Sequence, residues 1–389
     1  MPFAAPDAGW APIKSIICKI VARCNLNCDY CYVYHFGDET WRSQPSRMST
    51  EVAANLGRRV REHGARHNLS HMEIVFHGGE PFLAGLRHIR ALCDTIRRES
   101  VPVTISFNMQ TNGVGFDERA LEFCQEYDVK VGISIDGPRE ANDRHRLDHF
   151  GRSSFDAVER ALLLLSSEAG RPHWGGILSV VDLANDPTEV YRYLRGFNPS
   201  SIEFLLPLAN HDRPPPPGGG VSMTPYADWL NTVFDLWFEE SPQTTIIRKF
   251  SDQIKLLAGR RGISEEWGLQ PVDFCVVESN GDLELVDTLK TAFPGAASLN
   301  LNLAKHDLDN VLSSPQVQER QLGVNTLCHA CQTCPLVSVC GGGYYPHRYS
   351  AARNFSNPSV YCEDLKATIR HIHHSVATAL TIRAAVATS

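Results

Sequence analysis

The sequence predicts an α/β protein, built as a partial (β/α)6 barrel that a cysteine-rich C-terminal region follows. Short β-branched runs alternate with amphipathic helical patterns up to about residue 206, and such alternation produces right-handed parallel crossovers. A proline- and glycine-rich stretch ends the alternation, and five of the twelve cysteines lie beyond it, between residues 328 and 362. Ligands of parallel α/β sheets bind at the carboxyl ends of the strands, so we expect the functional residues at that edge.

Six strands and five helices are predicted in the first part of the chain. The strands are runs rich in β-branched and aromatic residues, at 14–21, 72–77, 103–110, 129–136, 174–182 and 201–206. The helices show apolar periodicity, with N-cap residues at Ser49 and Ser153, at 50–66, 86–99, 117–126, 153–166 and 187–197.

The second part of the chain begins at the proline- and glycine-rich stretch at 213–221. Beyond it we predict helices at 226–238 and 249–258, a hairpin at 274–287 that turns at Asn280-Gly281, and a final helix from about residue 363. Three regions follow: a barrel at 1–212, a linker with bridging helices at 213–270, and a cysteine-rich domain with a C-terminal helix at 271–389.

Composition points to a globular protein without a nucleic-acid partner. The 389 residues include 43% hydrophobic and 21% charged residues, as in average soluble domains. A formal net charge of -7 does not provide the phosphate attraction on which nucleic-acid binders rely. Residues 1–14 do not form a signal peptide, and no apolar stretch is long enough to span a membrane. We therefore expect a cytoplasmic protein whose cysteines bind metal rather than form disulfides.

The first cysteine group is Cys24-x3-Cys28-x2-Cys31, directly after the first predicted strand. Thiolates are the ligands of iron-sulfur clusters, and three of them leave one iron of a four-iron cluster open for another ligand. Zinc is the alternative, with His35 as the fourth ligand that would close a tetrahedron.

With Tyr30 in the aromatic position, this group resembles the Cys-x3-Cys-x-aromatic-Cys signature of the radical S-adenosylmethionine (SAM) superfamily. The resemblance implies a [4Fe-4S] cluster whose free iron binds SAM, and reductive cleavage of SAM to a 5'-deoxyadenosyl radical. It also implies an electron donor such as flavodoxin or ferredoxin.

Polar residues at the later strand ends resemble the SAM-binding positions of that superfamily. Gly78, Gly79 and Glu80 match its Gly-Gly-Glu-Pro motif, in which the carboxylate meets the ammonium of SAM. The remaining candidates are Asn112, Ser134, Asp136 and Arg146. Such residues also form ordinary turns, and Arg146 is equally compatible with a surface loop.

The second cysteine group resembles the SPASM extension of peptide-modifying radical SAM enzymes. That resemblance implies one auxiliary [4Fe-4S] cluster, held by Cys331, Cys334, Cys340 and Cys362. A second, inner auxiliary cluster is not expected, because Asp273, Val286 and Tyr344 stand where its cysteines would be. Cys275 and Cys328 remain as partial ligands or as inert buried thiols.

Asp287 is the candidate catalytic base. It follows Gly281-x4-Val286 in the predicted hairpin, where sulfatase-maturing relatives carry an Asp that acts as a base. A carboxylate there could accept the proton released when a radical product is oxidised. The alternative is a hairpin residue with a structural role.

Local matches such as Cys340-Gly341-Gly342-Gly343 resemble the three-residue cyclophane-forming peptide maturases. That resemblance implies a crosslink between an aromatic ring and a nearby side-chain Cβ in a ribosomally made precursor peptide. Because only about a dozen residues precede the first predicted strand, we expect the leader to be read elsewhere or by a separate protein. The alternatives are formylglycine formation of the anaerobic sulfatase-maturing type and a noncatalytic iron-sulfur protein that binds peptides.

Overall fold

The computed structural model describes residues 9–217 and 222–387. The glycine half of the predicted linker and most of the N-terminal segment considered as a signal peptide lie outside the described residues. Within the described ranges no helix is long and apolar enough to cross a membrane.

The strands are, in chain order, β1 Ser15–Val21, β2 His71–Gly78, β3 Thr104–Thr111, β4 Lys130–Ser134, β5 Trp174–Val180, β6 Ser201–Leu205, β7 Ile246–Ile247, β8 Phe274–Val277, β9 Asp282–Glu284 and β10 Ser298–Asn302. The α-helices are α1 Thr50–His67, α2 Leu86–Ser100, α3 Glu118–Tyr127, α4 Arg139–Asp143, α5 Phe155–Ser166, α6 Pro187–Gly196, α7 Pro225–Phe238, α8 Arg248–Leu257, α9 Leu308–Leu312, α10 Pro315–Glu319, α11 His329–Gln332, α12 Val337–Cys340 and α13 Cys362–Ala387.

The first compact unit contains residues 1–178 and 272–321. Its strands follow the order β10-β9-β8-β1-β2-β3-β4-β5, parallel from β8 to β5, with β9 and β10 antiparallel. One face is apolar, because every second residue of β2 is buried, at Met72, Ile74 and Phe76. Lys19 pairs in register with His77, and the alternation of side chains places both on the opposite face.

The second compact unit contains residues 179–271 and 322–389. It includes the parallel pair β6 and β7, and its helices are α6, α7, α8, α11, α12 and α13. A buried aromatic cluster holds part of this unit together, since the ring of Phe234 on α7 packs against Phe250 on α8 with centroids 5.3 Å apart.

The predicted α/β fold class is confirmed, and every predicted strand and helix is present within a few residues. Ser49 caps α1 by accepting a hydrogen bond from the Val52 amide at 3.2 Å, and Ser153 accepts one from the Phe155 amide at 3.1 Å. The predicted turn at Asn280-Gly281 joins β8 to β9, and Gly281 has a φ of +88°, which favours glycine.

The boundary predicted at residue 212 falls inside the second compact unit, and the one at 270 lies one residue before the break at 271, beyond which residues 272–321 return to the first unit. The physical reason is the parallel pairing of β8 with β1, which joins Ser15 to Phe274 across the intervening chain. The three predicted regions are therefore not the compact units of the structure. They stay a prediction of how function is divided along the chain.

Candidate active site

The cysteine loop begins three residues after β1 and contains Cys24, Cys28 and Cys31. Cys24 Sγ accepts contacts from the Leu26 amide at 3.4 Å and from Asn112 Nδ2 at 3.7 Å. Burial raises the pKa of Cys24 to about 12 and that of Cys31 to about 11. These thiols stay protonated at neutral pH until a metal displaces the protons.

The zinc alternative needs a fourth ligand close to the loop thiols. Tetrahedral zinc ligands lie about 2.3 Å from the metal and therefore about 4 Å from one another. In the part of the chain that the structure describes, the only potential ligand set with atoms within 4.8 Å is His63, His67 and Asp309. His35 faces Asn27, with Nε2 at 3.0 Å from Oδ1. The described residues therefore bring no His35 nitrogen into a ligand set with the loop thiols, and three thiols alone suit a four-iron cluster with one open iron.

Gly78 and Gly79 dock the end of β2 against the cysteine loop. The Gly79 amide donates to the Val21 carbonyl at 2.8 Å. A Cβ atom on Gly79 would lie 2.1 Å from the Arg23 carbonyl oxygen, and one on Gly78 would lie 2.2 Å from that of Val21. Both positions require glycine for this approach of backbone to backbone.

Glu80 is almost fully buried and braces the ends of β2 and β3. Its carboxylate accepts hydrogen bonds from Thr111 Oγ1 at 2.7 Å, the Asn112 amide at 2.8 Å and the Phe82 amide at 3.0 Å. Burial raises the pKa of Glu80, and these three donors oppose the rise. The predicted contact with the ammonium of SAM stays a prediction.

Replacing Glu80 with Ala is expected to weaken SAM binding about ten- to a hundredfold while leaving the iron content intact. The reason is the loss of a charge-assisted hydrogen bond, which contributes roughly 1.5 to 3 kcal/mol. Equilibrium dialysis with SAM measures the effect. Thr111→Val is the matched control, because it removes one hydrogen bond to the Glu80 carboxylate but keeps the carboxylate itself. An affinity equal to that of the parent in Glu80→Ala would limit Glu80 to bracing the strand ends.

The ends of β3 and β4 hold the remaining SAM-binding candidates. Asn112 Nδ2 donates to Asn25 Oδ1 in the cysteine loop at 2.8 Å. Ser134 Oγ accepts from Gln110 Nε2 at 2.8 Å. The structure thus brings Asn112 to the cysteine loop and places Ser134 one strand further away.

Asp136 and Arg146 meet at the hydroxyl of Tyr30. The Tyr30 hydroxyl donates to Asp136 Oδ2 at 2.6 Å and accepts from Arg146 Nη1 at 2.9 Å. Arg146 is buried rather than on a surface loop. Its buried Nε has no hydrogen-bond acceptor among the described residues, so it offers a donor for an anionic ligand such as a carboxylate.

Asp287 lies beside the cysteine loop, at the start of the 3-10 helix Asp287–Thr291 that follows β9. Its Oδ2 accepts from the Tyr32 hydroxyl at 2.8 Å and lies 3.4 Å from Lys19 Nζ. Burial opposes ionisation, but Lys19, His77 and Lys290, with the Tyr32 hydroxyl, lower the pKa of Asp287 below its ordinary value. Asp287 is therefore an ionised carboxylate at neutral pH.

His77 is the neighbour of Asp287 on β2. Burial lowers the pKa of His77, and Lys19 adds to the effect although Asp287 opposes it. The ring is therefore neutral at neutral pH. Nδ1 is buried and has no hydrogen-bond partner in the described ranges.

Lys19, Tyr32 and His77 are the site residues that sequence reasoning did not assign. A signal for Lys19 was present: it is a cation in the middle of the apolar run Ser15–Val21. Because a lysine is almost never fully buried without a partner, that position indicates a buried anion nearby.

Four of the five cysteines of the second group line one cavity in the second unit. Cys331, Cys334, Cys340 and Cys362 border a space of about 550 Å³. This common cavity fits the predicted auxiliary cluster. Cys328 does not line this cavity.

The hairpin formed by β8 and β9 borders a network of buried ions. Cys275 is buried in β8, and burial raises its pKa to about 12. Two ammonium groups and two carboxylates, those of Lys19, Lys290, Glu278 and Glu284, are buried together beside it.

Comparisons with known proteins agree with this geometry. Residues 18–183 match the Radical SAM superfamily model. The chain is 27% identical to a cysteine-type anaerobic sulfatase-maturating enzyme of Clostridium perfringens, over 91% of this chain and 95% of the relative. It is 25% identical to a serine-type enzyme of Bacteroides thetaiotaomicron, over 87% and 84%. Native anSMEcpe with bound AdoMet and Cp18Cys peptide superposes with a TM-score of 0.80 at 24% identity, covering 95% of this chain and 99% of the other.

These relatives overturn the cyclophane assignment. Both the cysteine-type and the serine-type enzymes match nearly the whole chain, so the assignment from glycine-rich local matches such as 340–343 is wrong. Short motifs near a metal site reflect the packing of its ligands, and they specify the reaction less well than similarity along the whole chain.

Proposed function

This chain is a radical SAM enzyme that uses SAM and [4Fe-4S] clusters, and from that premise we propose that it oxidises a cysteine or serine side chain of a peptide or protein to formylglycine. The single observation that carries the proposal is Asp287, a buried carboxylate held ionised by Lys19 and Tyr32 next to the cysteine loop. The similarity to both types of sulfatase-maturating enzyme supports the same chemistry.

In this proposal, Cys24, Cys28 and Cys31 hold the radical cluster. SAM lies against Gly78, Gly79, Glu80, Asn112, Ser134, Asp136 and Arg146. Cys331, Cys334, Cys340 and Cys362 hold one auxiliary cluster, in a SPASM-like region. When bound, these cofactors supply the deoxyadenosyl radical that removes a Cβ hydrogen atom and the oxidised cluster that takes up one further electron.

Asp287 accepts the proton that must leave the substrate. After loss of the Cβ hydrogen and one electron, the thiol proton leaves and a carbon-sulfur double bond forms. Water then replaces sulfur and hydrogen sulfide departs; with serine, loss of the hydroxyl proton gives the aldehyde directly. The Tyr32 hydroxyl and the Lys19 ammonium fix the carboxylate for this role.

The partners in this proposal are the substrate peptide and a low-potential electron donor such as flavodoxin or ferredoxin. A cytoplasmic location fits the proposal, because the iron-sulfur clusters require a reducing compartment. The proposal also includes a separate protein that presents the substrate to the enzyme. This protein replaces the leader-reading partner that the sequence analysis predicted.

The test is anaerobic turnover of the reconstituted enzyme with SAM, reductant and the Cp18Cys peptide. We expect an aldehyde that a hydrazide traps, with one hydrogen sulfide released per aldehyde. The same peptide with Ser for Cys should yield the aldehyde without sulfide, and the Ala peptide should yield neither. Deoxyadenosine formation without aldehyde from either peptide would contradict the proposal.

A further inference from the structure

A continuous chain of buried charged groups leads from Asp287 to β9. Asp287 Oδ2 is 3.4 Å from Lys19 Nζ, which donates to Glu278 Oε1 at 2.8 Å. The same Glu278 oxygen accepts from Lys290 Nζ at 2.7 Å, and Lys290 Nζ lies 3.1 Å from Glu284 Oε2. All five residues are at most 5% exposed, so bulk water does not interrupt the chain.

The three carboxylates of this chain differ in their affinity for a proton. Lys19 and Lys290 outweigh the effect of burial and lower the pKa of Glu278 to about 2, and the pKa of Asp287 is lowered as well. Burial raises the pKa of Glu284 to about 7, against the opposing effect of Lys290. A proton that enters at Asp287 is therefore most stable on Glu284.

Glu284 Oε2 is a buried acceptor atom that no donor occupies within the described residues. Although Lys290 Nζ is 3.1 Å away, the atoms are not aligned as a hydrogen bond, and Oε2 has no hydrogen-bond partner within the described residues. Transfer along this last link requires the Lys290 and Glu284 side chains to turn towards each other. Glu284 pairs with Ser298 across β9 and β10, two strands away from β1 in the sheet order.

We propose that Glu284 is the terminal acceptor of the proton that Asp287 takes from the substrate, through a relay formed by Lys19, Glu278 and Lys290. The relay rests on the proposed oxidation of a cysteine or serine side chain. Each ammonium gives one proton to the next carboxylate as it takes one from the previous one. No electron moves and no bond other than N–H and O–H changes. Asp287 returns to its ionised form, and Glu284 must release its proton to solvent water before the next turnover.

The groups that surround the relay belong to several elements. His77 on β2 faces Asp287 and Lys19, and Tyr32 donates to Asp287. Cys18 on β1 faces Glu278, which adds to the effect of burial in raising the pKa of its thiol. Asp38 lies near Lys290.

The relay predicts a pH profile that a merely structural network would not give. Glu284 accepts a proton only when ionised, so product formation should rise as the pH increases through about 7 and then level off. Glu284→Gln keeps the size and an acceptor oxygen but cannot take the proton. We expect this variant to slow aldehyde formation about tenfold or more and to form deoxyadenosine at the parent rate. The rise in product formation near pH 7, which we call the step, should disappear. Glu284→Asp should restore the step in part.

Glu203→Gln is the matched control for this experiment. Glu203 is also buried, burial raises its pKa to about 7, and it lies in the second unit beside Lys249, at 3.6 Å. It has no part in the relay, so Glu203→Gln should keep the parent rate and pH profile. Loss of the step in this variant would contradict the relay.

Infrared difference spectroscopy of the reconstituted enzyme between pH 5 and pH 9, without peptide, tests the same inference independently of the substrate. The parent should show two buried carboxyl groups that titrate near 7. Glu284→Gln should remove one and Glu203→Gln the other, and Asp287→Asn should shift the group that Glu284→Gln removes. An unchanged spectrum in Glu284→Gln, or its parent-like turnover and pH profile, would overturn the relay. If the spectra behave as expected but no peptide reacts, the proposed reaction is overturned instead.

Discussion

Replacing Cys24, Cys28 and Cys31 together with Ala is expected to abolish deoxyadenosine formation and to remove close to four irons per chain. The expectation follows from the proposal that the three thiols of the cysteine loop are the complete protein ligand set of one cluster. Anaerobic reconstitution of the parent should give about eight irons, four for this cluster and four for the cavity lined by Cys331, Cys334, Cys340 and Cys362. Iron analysis and chromatography of the SAM products measure both effects.

The matched control is Cys124→Ala, which removes a buried thiol from α3 in the core of the same unit. This variant should keep the parent iron content and deoxyadenosine formation. Deoxyadenosine that persists in the triple variant would show that another part of the chain cleaves SAM. A parent iron content of about twelve would show that the hairpin holds an inner cluster despite its ion network.

The fold could be predicted from sequence because its periodicity is local. The alternation of Met72, Ile74 and Phe76 marks β2 within one or two residues, and Ser49 marks the start of α1. Local sequence patterns do not predict where a strand ends when the next residues form hydrogen bonds with residues far away in the chain. The sequence continues β4 to residue 136, but the strand ends at Ser134, and Asp136 instead accepts a hydrogen bond from Tyr30.

The site was predictable only where a motif is contiguous. The cysteine loop and the Gly78-Gly79-Glu80 turn are such motifs, and the structure brings them together through backbone hydrogen bonds from Gly79 and Glu80. The partner of Lys19 was not predictable, because Glu278 lies 259 residues away in the chain. A buried lysine indicates an anion, but only the parallel pairing of β1 with β8 determines which one.

Replacing Asp287 with Asn should separate hydrogen abstraction from product formation. The amide oxygen can still accept from Tyr32, and Lys19 keeps its hydrogen bond to Glu278, but the amide does not take up a proton at neutral pH. Deoxyadenosine should therefore form at the parent rate while aldehyde falls about a hundred- to ten-thousandfold, the usual range of a general base. Mass spectrometry of the peptide and quantitation of deoxyadenosine in the same sample measure this uncoupling.

Asp273→Asn provides the control within the same hairpin region. Asp273 pairs with Lys14 at 3.6 Å, and both side chains are about half exposed, so its loss changes one charge next to β8 without touching the site. This variant should keep the parent ratio of aldehyde to deoxyadenosine. If Asp287→Asn also keeps that ratio at the parent rate, Asp287 only shapes the hairpin. The substrate proton must then leave through His77, whose neutral ring faces Asp287 and Lys19, or through water. In that case Glu284→Gln should have no effect on turnover, because the relay from Asp287 would carry no proton.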